Sequence, residues 1–260
     1  MTTHTLRDAY SAELLKLRSL RSTRTVPAAA LLAVVAGAVL AILLTNDFDA
    51  SPPDLRAHFA SADPSILITP VLGLALAAIA APVFTAEYGT GAIRATMIGV
   101  PARRKLFTAK ALTVASIAAA AGMVVSFALY ALTTWVVGDR PAPLAPWPTP
   151  IDGVPSALAN GTIVVVVALL ALGLGAALRS TAGALVTVTL LLFVLPGLGL
   201  FLPPPATEWI TSMSLVNLAP AISGTTTDTV LSPAAAVIVA LAYAAVPLAL
   251  GWLRFSRRDA

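Results

Sequence analysis

Six long apolar stretches are separated by more polar segments along the 260 residues of the chain. Each stretch reaches the roughly 20 residues that a helix needs to cross a bilayer core of ~30 Å. None contains Asp, Glu, Lys, Arg or His. Because lipid cannot hydrogen-bond an open backbone, the pattern predicts an all-α, polytopic membrane protein. The six predicted transmembrane helices are Val26–Thr45, Ile66–Thr85, Ala111–Val137, Val154–Leu178, Thr181–Leu202 and Pro233–Leu253.

The composition excludes several function classes. Hydrophobic residues make up 58% of the chain and charged residues only 11%, whereas a soluble domain carries roughly a quarter charged residues. A soluble enzyme, a disordered chain and a nucleic-acid-binding domain are therefore excluded. The chain has no Cys, so it forms no disulfide and no thiolate metal site. Its preference for Arg over Lys and its heavy use of Ala favour GC-rich coding DNA and a bacterial source.

The basic residues lie on one side of the predicted spans. Of the 16 Lys and Arg residues, only Arg56 and Arg140 fall in loops of the opposite side, which holds most of the 12 acidic residues. Since cytoplasmic loops are enriched in Lys and Arg, we expect both termini to be cytoplasmic. The expected organisation is a cytoplasmic amphipathic arm (1–25), a six-helix membrane domain (26–255) and a cytoplasmic tail (256–260).

The arm carries apolar residues at helical spacing, which predicts an amphipathic helix lying along the membrane surface. The apolar positions are Leu6, Tyr10, Leu14, Leu17 and Leu20. Glu13 falls within this apolar stripe, where a carboxylate is costly unless it has a partner. A basic residue of the neighbouring loop or of another subunit would be a suitable partner. Alternatively, Glu13 extends into the lipid headgroups.

The loop between the second and third predicted spans, residues 86–110, is long and organised. A short helix is expected at Ala92–Ile98, because Gly91 precedes it and Gly99 and Pro101 interrupt it. A second basic segment then leads into the next span. A short helix held between such breakers is suited to docking into a groove on a soluble partner.

The segment between the fifth and sixth predicted spans, residues 203–232, has an apolar pattern of its own. Trp209, Ile210, Met213 and Val216 recur at helical spacing. This pattern predicts a short helix at the outer membrane interface or an ordinary loop helix, and both interpretations remain open.

Motifs for catalysis and cofactor binding are absent from the sequence. No G-x-x-x-x-G precedes Lys16, Lys105 or Lys110, so the chain has no Walker loop for ATP. The only histidines, His4 and His58, lie outside the predicted spans. We therefore expect a chain that is not an enzyme and binds no metal or cofactor itself.

Hydroxyl and amide groups supply most of the polarity of the spans. They either line a path for a hydrophobic or amphipathic substrate or form hydrogen bonds to their own helix or to a neighbouring one. The second interpretation is favoured. These residues are Thr113, Ser116, Ser126, Thr133, Thr134, Asn160, Thr162, Thr187 and Thr189.

The loop 86–110 resembles the signature of the type 2 ABC transporter permeases, the membrane subunits of bacterial ATP-driven exporters. The arm segment 12–23 and the aromatic, basic tail 252–260 also resemble that family, so the resemblance covers the whole chain. Ala92 stands where the family usually has Thr, and Gly89-Thr90 replaces a more polar pair. The matching loop positions are Glu87, Tyr88, Gly91, Ile93, Arg94, Thr96, Met97, Pro101, Arg103, Arg104, Ala109 and Lys110.

The resemblance implies a non-catalytic permease subunit in the bacterial inner (plasma) membrane. Such a subunit pairs with a second permease copy, identical or sister, and rests on a separate ABC ATP-binding subunit that holds ATP and Mg²⁺. The loop would couple the ATPase to the spans through Glu87, Tyr88, Arg94, Thr96, Arg103, Arg104, Lys105 and Lys110. The arm would contribute contacts through Glu13, Lys16 and Arg18.

Two other functions remain as alternatives: an ATP-independent secondary transporter, and a membrane scaffold or immunity protein. Buried ionisable groups and inverted repeats would favour a secondary transporter, and the sequence has neither in its spans. An apolar interior without charged residues favours a hydrophobic or amphipathic cargo such as a drug, an antibiotic or a peptide.

Overall fold

The computed structural model describes residues 5–19, 25–91, 102–199, 201–226 and 228–257. Throughout these residues the regular structure is helical, with no strand. Six of the described helices are long and apolar enough to cross a membrane, which confirms this part of the prediction. They are span 1 (Thr25–Ala50), span 2 (Ser65–Thr90), span 3 (Arg103–Val137), span 4 (Pro150–Leu178), span 5 (Thr181–Gly199) and span 6 (Pro233–Arg257).

Three of the spans are composite helices. Span 2 joins Ser65–Ala80 to Pro82–Thr90, and span 4 begins with the 3₁₀ turn Pro150–Gly153 before Val154–Leu178. Span 5 joins Thr181–Thr189 to Leu195–Gly199 through the π-helical turn Leu190–Val194. Pro196 lies two residues after the end of that turn, and its ring crowds the carbonyl one turn earlier, so a widened turn relieves the clash.

Four shorter helices complete the described structure. One precedes span 1 and is called the arm helix (Leu6–Ser19). The others are Pro53–Arg56, Ala206–Met213 and Leu215–Ser223. The last two occupy the segment in which the sequence predicts one short helix. They are separated at Ser214, whose ψ of 137° is extended.

Span 4 is the central helix of the bundle, and spans 2, 3 and 6 pack around it. Glycines allow these close contacts. A Cβ atom at Gly173 would lie 2.4 Å from the carbonyl carbon of Pro247, and one at Gly175 would lie 2.6 Å from the carbonyl oxygen of Ala81. Spans 1, 5 and 6 expose most of their apolar surface, which suits contact with lipid.

The two ends of the bundle differ in their contents. At the arm end, the arm helix meets the end of span 2 and the start of span 3, where Glu13 pairs with Lys110. At the far end, the loops after spans 1 and 3 lie together, and Arg140 pairs with Asp49 at 2.7 Å.

Five of the six described spans extend beyond the apolar stretches that predicted them, whereas span 5, predicted as Thr181–Leu202, ends at Gly199. Span 1 continues to Ala50 rather than Thr45, and span 3 begins at Arg103 rather than Ala111. Arg, Lys, Leu and Ala favour helix, so the helix continues where the hydropathy has already fallen. The predicted loop 86–110 is correspondingly shorter, because both its ends are helical. The expected helix Ala92–Ile98 lies outside the described residues.

The arm is helical, as predicted, and it packs on span 3. Its buried face is formed by Ala9, Glu13 and Leu17. The hydroxyl of Tyr10 donates a hydrogen bond to Oγ of Ser116 in span 3, at 3.1 Å. The predicted apolar stripe is thus rotated toward Glu13, and the arm contacts protein along this face.

Candidate functional site

Four charged side chains meet at the arm end and form what we call the ion cluster: Glu13, Lys16, Glu87 and Lys110. Nζ of Lys110 lies 2.9 Å from Oε2 of Glu13 and 2.6 Å from Oε1 of Glu87. Lys16 also pairs with Oε1 of Glu87. The cluster therefore links the arm helix, span 2 and span 3 through side chains of balanced charge.

Most of the ion cluster is withdrawn from solvent. The side chain of Lys110 is 0% exposed and those of Glu13 and Glu87 are each 6% exposed, whereas Lys16 is 42% exposed. Burying a charge is costly unless it is paired and hydrogen-bonded. Each buried charge of the cluster contacts an opposite charge. These ion pairs therefore hold the arm helix, span 2 and span 3 in one arrangement.

Glu13 resolves one alternative left open by the sequence. The expectation that a basic residue pairs with it is confirmed, since Lys110 of the segment predicted as the neighbouring loop is that residue. The alternative, extension into lipid headgroups, is wrong because the side chain is buried against span 3.

Local helix geometry explains why Lys110 is buried. Lys110 follows Leu106 and Phe107 at helical spacing and precedes Val114, so all four share the inner face of span 3. Its ammonium lies 5.6 Å from the ring centroid of Phe84, a cation–π contact that adds to its ion pairs. The apolar residues that share a helix face with Lys110 can be recognised in the sequence, and they indicate that this lysine is buried.

Glu87 is positioned by the last segment of span 2. This segment begins at Pro82, whose fixed φ suits the first helical position, and ends at Gly91 in the left-handed conformation, with φ of 70°. Oε2 of Glu87 is buried and accepts no hydrogen bond from the described residues. One acceptor of the ion cluster thus remains open to a further donor.

A second group of contacts at the arm end involves arginines. Nη1 of Arg103 donates to the carbonyl oxygen of Ser256 at 3.0 Å, near the end of span 6. A cation suits this position because carbonyl groups at a helix C-terminus carry partial negative charge. The guanidinium of Arg179 lies 4.5 Å from the ring centroid of Tyr88. The start of span 3 is therefore joined to the end of span 6, and the end of span 4 to span 2.

The structure brings together only part of the predicted contact set. Glu13, Lys16, Glu87 and Lys110 form the ion cluster, and Tyr88 and Arg103 make the arginine contacts just described. Three residues are exposed at the arm end: Arg18, Arg104 and Lys105. Two more, Arg94 and Thr96, lie outside the described residues.

Arg179 and Arg254 also make contacts at this end, although the sequence did not predict them. Arg254 donates from Nη1 to the carbonyl oxygen of Ala177, at the end of span 4. Arg179 occupies the left-handed region at φ of 54°. Their only signal in the sequence is an arginine just after an apolar span, which does not identify a partner.

Several hydroxyl groups of the spans bond within their own helices, which confirms the favoured interpretation for those residues. The donors with their carbonyl acceptors are Thr113 to Ala109, Ser116 to Leu112, Thr134 to Tyr130, Thr162 to Leu158 and Thr187 to Gly183. Asn160 differs, because it also bonds to another span.

Comparison with known proteins gives one family. A family model described as "Protein of unknown function (DUF2705)" matches residues 56–260, and no curated protein matches the chain. The matched range contains spans 2 to 6, with Glu87 and Lys110 of the ion cluster, and begins after the arm helix. Because the match covers more than half of the chain, this protein belongs to the DUF2705 family.

Proposed function

We propose that the chain is the membrane-spanning, non-catalytic permease subunit of an ATP-driven ABC exporter, working with a separate ATP-binding subunit and a second permease copy. The ion cluster is the observation that carries the proposal. It joins both helices that flank the segment 91–102 to the arm helix. A partner bound to that segment is thereby linked mechanically to spans 2 and 3.

The distribution of charge supports a topology in which the arm end faces the cytoplasm and the ATP-binding subunit. Glu13 of the arm helix and the carbonyl of Ser256 both lie at the arm end, through their contacts with the first turns of span 3. We propose that this end is cytoplasmic, since it holds nearly all the basic residues. A bacterial inner membrane is the proposed location.

Coupling requires that the nucleotide state of the partner shift the balance between two arrangements of the spans. A displacement of the segment 91–102 acts on Glu87 and Lys110, which stand on its two sides. Through Glu13 the same displacement reaches the arm helix. Oε2 of Glu87 accepts no hydrogen bond from the described residues. The ion pairs of the cluster can therefore rearrange while Lys110 keeps a carboxylate partner.

The proposed cargo is a hydrophobic or amphipathic molecule such as a drug, an antibiotic or a peptide. The support is the apolar character of the spans, whose hydroxyl groups mostly bond within their own helices. A strongly charged cargo would need charged groups along its path.

The test is co-purification in mild detergent with an ABC ATP-binding subunit encoded beside this chain. Arg104→Glu, alone and with Arg94→Glu, is compared with Arg257→Glu as the matched control. Arg104 and Arg257 are both exposed at the arm end, but only Arg104 adjoins the segment 91–102. A glutamate suits the N-terminus of span 3 and opposes the C-terminus of span 6, so the control is the variant more harmful to folding.

We expect the wild type and Arg257→Glu to retain the ATPase and the Arg104 variants to lose it. Stimulation of ATP hydrolysis by amphipathic compounds would then identify the cargo. A monodisperse wild-type chain that retains no ATPase would overturn the proposal and favour a secondary transporter or a scaffold.

A further inference from the structure

A cavity of about 290 Å³ lies at the far end of the bundle, remote from the ion cluster. It is lined by the start of span 2, by span 4, by the helix Leu215–Ser223, by Leu192 of span 5 and by residues of the loops before spans 2 and 4. Its volume is near the lower limit of ~300 Å³ for small-molecule pockets, which suits a compact ligand.

A carboxylate without a cationic partner lines this cavity. Oδ1 of Asp63 accepts a hydrogen bond from the backbone N–H of Ser65 at 2.9 Å. Burial raises the pKa of the Asp63 carboxyl, and the bonds from Ser65 oppose that rise. Among the described residues, no Lys or Arg lines the cavity or forms a salt bridge with Asp63.

The backbone adds a second acceptor. Pro70 lies inside span 2 and has no N–H, so the carbonyl of Ile66 loses its usual donor one turn later. Both Ile66 and Pro70 line the cavity. Carbonyl oxygens left without a helical partner in this way are ready to accept from a ligand.

Two polar side chains of the cavity wall already donate hydrogen bonds within the protein. The hydroxyl of Thr69 donates to Oδ1 of Asn160 at 2.9 Å, between spans 2 and 4. Nδ2 of Asn160 donates to the carbonyl oxygen of Ser156, also at 2.9 Å. Asp63 is the one charged side chain among the described lining residues, so the site offers a cation a negative charge.

We propose that this cavity binds the ammonium group of a small amphipathic molecule. Asp63 neutralises the ammonium, the carbonyl of Ile66 accepts one of its hydrogen bonds, and Trp147 supplies an aromatic surface that attracts cations. Leu192 and Leu215 form an apolar wall for the rest of the ligand. The ammonium belongs to a free amine or to a lipid headgroup. This inference does not rest on the proposed transport function.

The probe is 2-phenylethylamine, titrated by calorimetry into the purified full chain in a nonionic detergent. Its uncharged analogue 2-phenylethanol serves as the matched ligand. Asp63→Asn removes the charge but keeps an acceptor for Ser65. Asp54→Asn is the control variant, because Asp54 is an exposed carboxylate in the short helix after span 1. A thermal melt of each variant verifies that it is folded.

We expect saturable binding of the amine in about the millimolar range, typical of so small a ligand. Asp63→Asn should weaken it about tenfold, as expected for one charge-assisted hydrogen bond, and Asp54→Asn should not. If phosphatidylethanolamine in the micelles displaces the amine and phosphatidylglycerol does not, the occupant is a lipid headgroup. Amine binding that neither lipid displaces identifies a free amine.

Three results would overturn the inference. One is the absence of saturable amine binding to the folded wild type. Another is equal binding by the wild type and folded Asp63→Asn. The third is 2-phenylethanol binding as tightly as the amine, since the cavity would then select apolar bulk and not charge.

Discussion

Replacing Lys110 with methionine tests whether the ion cluster stabilises the bundle through buried pairing. Methionine keeps the length and most of the volume of the side chain, so little of the effect comes from a cavity. Without the ammonium, Glu13 loses its ion-pair partner among the described residues, and Glu87 keeps only the half-exposed Lys16.

The expected magnitude follows from burial. Breaking a buried ion pair by removing one partner costs about 3–5 kcal/mol. For a chain of this size each kcal/mol shifts the midpoint of thermal unfolding by about 2–4 °C, so Lys110→Met should lower it by roughly 6–20 °C. The comparison is Lys16→Met, whose half-exposed pair is worth about 0–1 kcal/mol.

The assay follows the monodisperse peak in size-exclusion chromatography after heating in detergent. A triple variant, Glu13→Met/Glu87→Met/Lys110→Met, removes the buried charges together and should recover most of the loss. The reasoning fails if Lys110→Met is no less stable than Lys16→Met. It also fails if the triple variant is as unstable as the single one, because unpaired charge would then not be the cause.

Two further predictions concern packing and pH. Gly173→Ala should destabilise the bundle by about 1–3 kcal/mol, because its Cβ would meet the backbone of Pro247, whereas Gly197→Ala has nothing within 4 Å and should be tolerated; thermal unfolding of both checks this. Burial raises the pKa of Asp63 above its ordinary value of 3.8, so the folded state binds more protons and loses stability as pH rises through the raised pKa. Asp63→Asn should therefore gain stability over the wild type as the pH rises above the ordinary carboxyl value of 3.8, and a pH-independent difference would contradict this.

The six long helices could be predicted from the sequence because each depends on a local property. An apolar run of sufficient length must satisfy its own backbone in lipid, whatever the rest of the chain does. The helix ends were less predictable. Span 3 begins at Arg103, and its residues up to Lys110 are helical although their hydropathy is low. Helix propensity and position in the membrane are separate properties. The apolar pattern indicates only the position in the membrane.

The sequence also identified Glu13 as a carboxylate in need of a partner, because its place in an apolar stripe is a local fact. Which cation satisfies it depended on packing. Lys110 is 97 residues away, and it reaches Glu13 only because the arm helix lies along span 3. Lys110 is buried because it lies on the inner face of span 3. It pairs with Glu13 because the arm helix packs on that span.

The far-end cavity is a product of tertiary structure. Thr69 and Asn160 are 91 residues apart, and their hydrogen bond forms because glycines let span 4 approach its neighbours closely. Asp63 by itself is an ordinary loop carboxylate in the sequence. It becomes a charged wall of a cavity only when span 2, span 4 and the helix Leu215–Ser223 enclose it. Local patterns determine which segments are helical, whereas long-range packing determines which side chains meet.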